Sequence, residues 1–185
     1  YMFSHVHPDN YEKQLSTKNQ EMNALFSCFT LPTVEVFTSV PLNYRLRAEF
    51  RVWHQGDDLY YIMFNSETKE KYRVDDFPVA SVLINQAMKA LLLSIKTKKE
   101  LRYKLFQVDF LSTLSGELLI SMLYHKPLEP TWELAAKELK AELSQIAPVD
   151  IIGRAKKQKI IIDKDYVMES LQVGNSTFVY QQVEN

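Results

Sequence analysis

Residues 44–65 read YRLRAEFRVWHQGDDLYYIMFN, and the alternation inside this stretch decides the kind of fold. Successive side chains of an extended strand point to opposite faces. On that template Tyr44, Leu46, Ala48, Phe50 and Val52 share an apolar face, while Arg45, Arg47, Glu49, Arg51 and Trp53 share the other. HQGDD is a turn rich in Gly and Asp, and LYYIMFN returns as a second strand. One face of the resulting antiparallel pair is therefore a core face. The opposite face concentrates guanidiniums and an indole. Guanidinium forks suit phosphate, and flat aromatic or guanidinium surfaces stack on bases. Such a face is a candidate RNA-reading surface; the same pattern also suits a solvated strand face with one Arg–Glu pair.

Working outward, Leu15, Met22, Leu25, Phe26 and Phe29 recur at helical spacing, which predicts an amphipathic helix from Asn10 to about Phe29, closed by Pro32. Residues 70–74 can add a third strand. After Pro78, Val82, Leu83, Ile84, Met88, Leu91, Leu92 and Ile95 form a wide apolar stripe, and the basic run 96–99 suits a helix C-terminus. KLFQVDFLST and ELLISMLYHK read as strands. A helix over Thr131–Gln145 follows Pro127 and Pro130, and then come VDIIGRA, QKIIID and STFVYQQVE as short strands. Antiparallel strands interleaved with two main helices, plus the amino-terminal helix, predict an α+β fold with the helices on one face of the sheet.

With 185 residues, of which 46% are hydrophobic, the chain can bury a proper core. A net charge of -1 excludes a generally basic nucleic-acid glue, so any RNA grip must be a local cluster. Cys28, the single cysteine, excludes an internal disulfide framework and a cysteine-built metal site. Placed in the first helix among apolar neighbours, it is expected to be buried and inert. No apolar run is long enough to span a bilayer, and the expectation is a soluble, cytoplasmic protein without a membrane partner. The four histidines, His5, His7, His54 and His125, do not fall at metal-ligand spacing, and the four glycines build no phosphate loop. Nothing in the chain assembles into a catalytic centre.

If Ser115-Gly116 forms the turn between KLFQVDFLST and ELLISMLYHK, Leu114 faces Glu117 and the register pairs Phe106 with His125, Val108 with Leu123 and Phe110 with Ser121. An aromatic beside an imidazole, flanked by Lys104 and Lys126, is a platform on which unpaired bases stack. It is equally a core Phe beside a hairpin-end His. A bulge or longer loop would separate the two. GRAKKQKI adds a third basic element with Arg154, Lys156, Lys157 and Lys159.

These segments together resemble the amino-terminal part of the bacterial tRNA (uracil-5-)-methyltransferases that make ribothymidine in the T-loop. The resemblance is carried by YRLRAEFRVWHQGDDLYYIMF, FPVAS with LINQAM, KLFQVDFLSTLSG, SMLYHKPL, IGRAKKQKI with DKDY, and YQQVEN. It implies an S-adenosylmethionine-dependent parent enzyme. A cysteine thiolate attacks carbon 6 of a flipped-out uracil, carbon 5 takes the methyl group and a base removes the proton. It implies tRNA T-arm contacts at Arg51, Phe106 and His125, the latter two stacking on loop bases. Arg45, Arg47, Arg102, Lys104 and Arg154 are candidates by charge and position. It further implies that cofactor, nucleophile and base belong to a Rossmann-like domain this chain does not include, so the chain alone is expected to be inactive and to need no cofactor. Residues 1–30 are then a helix packing on that domain, or pairing with a second copy, and residues 31–185 the RNA-recognition domain. The alternative, from another class, is a noncatalytic α+β protein-interaction module.

Overall fold

The alternation in the opening stretch does produce a strand, β1 (Arg47–Gln55), with Ala48, Phe50 and Val52 buried and Glu49, Arg51 and Trp53 exposed. The computed structural model describes residues 6–65 and 67–184, so His5 lies outside the described residues. After β1 come β2 (Asp58–Phe64), β3 (Lys71–Val74), β4 (Leu105–Ser112), β5 (Leu118–Tyr124), β6 (Val149–Ala155) and β7 (Gln158–Ile162). They form one sheet in the order β3-β2-β1-β4-β5-β6-β7. Neighbours are antiparallel except β5 and β6, which run parallel. The cause is a helical crossover between those two strands, which returns the chain to the end where β5 began.

Numbering the helices along the chain, α1 is Tyr11–Leu25, α2 Val82–Ile95, α3 Lys99–Arg102 and α4 Pro130–Leu143. Ser81 caps α2, its Oγ accepting from the Ile84 amide at 3.2 Å. Ile84, Ala87, Met88, Leu91 and Ile95 are the buried stripe of α2. In α4 Pro130 occupies the first turn, where its missing N–H costs nothing, and Trp132, Ala136, Leu139 and Leu143 are buried. Both stripes pack with Phe50, Tyr61, Val108, Phe110, Ile120 and Ile151 in one main core on a single face of the sheet. The opposite face is open over β1 and β4. Towards β5 and β6 it is covered by a hairpin of β8 (Tyr166–Val173) and β9 (Ser176–Val183) over a small cluster of Leu111, Leu119, Ile152 and Val167.

Four expectations need correction. The first helix ends at Leu25 rather than near Phe29 and buries no residue. Cys28 lies beyond that end and is exposed, not enclosed. Strand β8, Tyr166–Val173, lies between QKIIID and STFVYQQVE, where the sequence pattern assigned no element. The β4–β5 register is one residue from the expected one, pairing Val108 with Met122 and Phe110 with Ile120. The turn is wider than Ser115-Gly116 because the buried Glu169 carboxylate accepts from the amides of Leu114 and Ser115 at 2.6 and 2.9 Å. Gly116 completes this loop at φ 97, a conformation that suits glycine.

Candidate nucleic-acid interface

Despite the changed register, Phe106 and His125 meet. Leu105 pairs with Tyr124 and Gln107 with Leu123, so Phe106 is an extra residue, a β-bulge in β4. Leu105 and Val108 are both fully buried, which lets β4 change phase between them and turns Phe106 outward beside Gln107. Beyond the bulge the His125 amide donates to the Lys104 carbonyl at 3.0 Å. Lys104 itself takes φ 57, a left-handed conformation that costs a non-glycine residue about 1–2 kcal/mol.

The two rings lie 3.8 Å apart between centroids at an angle of 12°, face to face. The Arg51 guanidinium carbon sits 5.4 Å from the Phe106 ring centre. Arg51 pairs with Gln107 across β1 and β4, so the three side chains form a column that crosses three neighbouring strands. Phe106 is half-buried, whereas Arg51 and His125 are exposed. Arg51 has no carboxylate partner among the described residues. Planar groups of alternating cationic and aromatic character, one face open, are what unstacked bases pack upon.

A second patch lies on the same face over β1–β3. Trp53 pairs with Tyr60, the Lys71 ammonium sits 3.3 Å from the Trp53 ring centre, and the Arg73 guanidinium 4.7 Å from the Tyr60 ring centre. Arg73 is also held by Asp58 and Asp75.

The other candidates are dispersed. Arg45 donates to the Arg47 carbonyl at 2.8 Å and Arg47 to the Val183 carbonyl at 3.4 Å, at the far end of β1 from Arg51. Arg102 donates to the carbonyls of Lys96 and Asp57 at 2.6 and 3.0 Å, tying α3 to the end of α2 and the β1–β2 turn. Lys104 stands next to the column and is exposed. Arg154 grips Glu184 with two nitrogens, at 2.7 and 2.5 Å, and Lys159 joins that carboxylate at 3.2 Å. Burial pushes the Glu184 carboxyl up, but hydrogen bonds from Arg154, Ser121 and Lys159 outweigh it and hold the group below the usual range. Nearby Asp109 is pushed the other way, by burial first and then by Glu49 and Glu184, against a lowering hydrogen bond from Gln107. Lys156 and Lys157, which the sequence marked only as part of a basic element, lie in the β6–β7 turn and line a groove together with Phe106 and His125. Among the described residues no cluster of three His, Cys, Asp or Glu could hold a metal, and no helix is long and apolar enough to cross a membrane.

Comparison with known proteins puts this geometry in context. The sequence model of the tRNA (uracil-5-)-methyltransferase family matches residues 10–185. The tRNA/tmRNA (uracil-C(5))-methyltransferase of Colwellia psychrerythraea is 77% identical over 184 residues, covering 100% of this chain and 50% of that protein. The protein of the same name from Shewanella sp. strain W3-18-1 is 57% identical, covering 96% of this chain and 49% of its own length. The chain thus spans about half the length of the curated relatives it matches. Among solved structures, the Pyrococcus abyssi tRNA (uracil-54, C5)-methyltransferase in complex with S-adenosyl-L-homocysteine is similar with a TM-score of 0.56 at 14% identity. That match covers 92% of this chain and 42% of the other, and the likeness is one of fold.

Proposed function

The chain belongs to the tRNA (uracil-5-)-methyltransferase family, and from that premise we propose that it is the tRNA-recognition part of such an enzyme, gripping the T-arm. The observation that carries this reading is the Arg51–Phe106–His125 column, exposed on an otherwise near-neutral molecule. Unpaired T-loop bases stack on Phe106 and His125, and Arg51 and Lys104 meet the adjoining phosphates. Arg154 takes a supporting role, fastening the C-terminal strand through Glu184.

In the parent enzyme the methyl group passes from S-adenosylmethionine to carbon 5 of the T-loop uridine. S-adenosylmethionine supplies an electrophilic methyl group; the described residues do not fit it. Their single parallel strand pair is joined through residues 125–129, a connection with Pro127 and no glycine, leading into a helix whose Trp132 is buried in the core. On this reading methyl transfer needs the rest of the enzyme, and the chain is inactive alone. The setting is the cytoplasm, where tRNA is modified.

On this reading the amino-terminal helix packs on the part of the enzyme this chain does not span, and residues 31–185 are the RNA-recognition domain, with the Tyr11 hydroxyl accepting from the Ser39 amide at 2.8 Å as a tie between them. Helix α1 buries no residue, and Leu25 at its end and Phe29, Phe37 and Val40 beyond it are 61–85% exposed. Relatives of twice the length offer a natural cover, the part of the enzyme this chain does not span. A protein-docking module is the competing reading, and that exposed strap is what favours it. Anisotropy of a labelled T-arm hairpin decides between them. Binding that prefers the intact loop over a scrambled one and weakens with salt supports the RNA reading. A concentration-dependent dimer with no RNA affinity supports the docking module.

A further inference from the structure

The ring column advances one strand at a time, from β1 to β4 to β5, and the next strands in that direction are β6 and β7. Between them and the column lies a groove of about 830 Å³, walled by Phe106 and His125 on one side and by Ala155, Lys156 and Lys157 on the other, with Leu123 beneath. Adjacent strands lie about 4.8 Å apart, so the groove falls where a further flat group would extend the column. Phe106 covers one face of the imidazole and leaves the other open.

The rim is cationic in a particular way. Its other basic groups are spoken for: Lys126 donates to the Glu100 carbonyl at 2.9 Å, Arg154 is held by Glu184, and neighbouring Lys159 by Asp165 and Glu184. Lys156 and Lys157 are exposed and have neither a hydrogen bond nor an ion pair among the described residues. Two unengaged ammonium groups thus stand at the tip of a rigid hairpin, opposite an open ring face. An acidic peptide would use the charges but not the flat slot, whereas a nucleotide uses both.

We propose that this groove is a second nucleotide subsite, in which an unpaired base stacks on the open face of His125 while Lys156 and Lys157 hold the flanking phosphates. It rests on the reading of the chain as an RNA-binding unit and assigns that unit residues outside the Arg51–Phe106–His125 column.

The test measures binding of the labelled T-arm hairpin over a range of salt, for the wild type, Phe106→Ala, the double variant K156A/K157A and its charge-preserving counterpart K156R/K157R. Thermal melts confirm folding; among the described residues the turn lysine side chains have no hydrogen bond or ion pair, so the fold is expected to persist. Each phosphate contact contributes roughly 0.7–0.9 to the slope of log affinity against log salt. The alanine double variant is expected to lower that slope by about 1.5 and to weaken binding about tenfold, with recovery in the arginine variant. Single abasic substitutions along the loop locate the base: the penalty at one nucleotide is expected to shrink in the alanine double variant and to persist in Phe106→Ala. Wild-type chain that binds no hairpin overturns the RNA reading and the subsite with it. Wild-type binding that depends on Phe106, with slope and abasic penalties unaltered in the double variant, overturns the subsite alone. Competition by oligoglutamate as strong as by unlabelled hairpin overturns the base slot.

Discussion

Replacing Phe106 by Ala removes the middle member of the column while leaving its supports in place. The ring is only half-buried, and the bulge is anchored on either side by Leu105 and Val108, both fully buried. The intramolecular loss is the stack on His125 and the contact with Arg51. Such contacts contribute about 0.5–1.5 and about 0.5–1 kcal/mol respectively, so their loss should weaken the fold by no more than about 2.5 kcal/mol. A base stacked on an aromatic side chain contributes about 1–3 kcal/mol. We therefore expect T-arm affinity to fall roughly 10- to 100-fold, with little change for a scrambled loop and an unaltered salt slope, because no phosphate contact is removed. Anisotropy with both hairpins, alongside a denaturant titration, reads all three quantities. Phe106→Trp should retain most of the affinity. A folded Phe106→Ala protein with wild-type affinity, or one that loses intact and scrambled loops equally, would refute the stacking role.

Three further outcomes follow from the surrounding structure. A Cβ on Gly153 would lie 2.3 Å from Cη2 of the buried Trp132 and 2.7 Å from Cδ1 of Leu128, so Gly153→Ala should cost about 1–3 kcal/mol or more in a denaturant titration. Glu184→Gln leaves Arg154 facing a neutral amide and should cost about 1–3 kcal/mol at neutral pH, less than a fully buried pair because the Arg154 side chain is 35% exposed. The Glu184 carboxyl is lowered in the fold, so its contribution is complete above the usual value of 4.5 and is lost as pH falls through the lowered folded value. The Gln variant should accordingly show a shallower acid limb in pH-dependent melts, and an unchanged limb would count against the pairing. Lys104→Gly relieves the left-handed strain but frees the unfolded chain, so its stability should equal the wild type or exceed it by up to about 1 kcal/mol. Lys104→Ala keeps the strain, and an Ala variant more stable than the Gly variant would contradict the assignment.

The long periodic elements were legible because their patterns are strong. The β1–β2 hairpin, the stripe of α2 and the helix after Pro130 each fall within a few residues of expectation. The missed strand β8 has mixed polarity, DYVMESLQV, because it covers a small secondary cluster on one side only and pairs just with β9. The changed register has a cause that no local pattern around Ser115 reveals. A carboxylate from β8, Glu169, holds the loop amides from more than 50 residues away. The bulge did leave a trace. Reading Phe106, Val108 and Phe110 as one face satisfies strict alternation, but Leu105 is as apolar as Phe106, and two adjacent apolar residues at a strand's start are where phase can change. The expected meeting of Phe106 and His125 came from a register that does not exist, and the bulge brings them together instead.

Charge alone overstates what the outer face of β1 offers to RNA. The strand and its approach present Arg45, Arg47 and Arg51 on alternating positions, yet two of these donate to backbone carbonyls at the β9 end of the sheet. The row directly beside Arg51 pairs Glu49 with Asp109, and burial first, with Glu49 and Glu184 adding to it, raises the Asp109 carboxyl's affinity for its proton. The open face therefore divides along the strands. One end is acidic or neutralised, open at Glu49 on β1 and covered by the β8–β9 hairpin towards β5 and β6. At the other end Arg51, Lys104 and the lysines of the β6–β7 turn surround flat rings, and among the described residues no carboxylate pairs with them. A molecule of net charge -1 can bind a polyanion only through such segregation. If the proposed RNA reading holds, the acidic row would serve the same end as the basic one: like-charge repulsion would keep a phosphate backbone off the Glu49–Asp109 end and so set the direction in which a loop approaches the column.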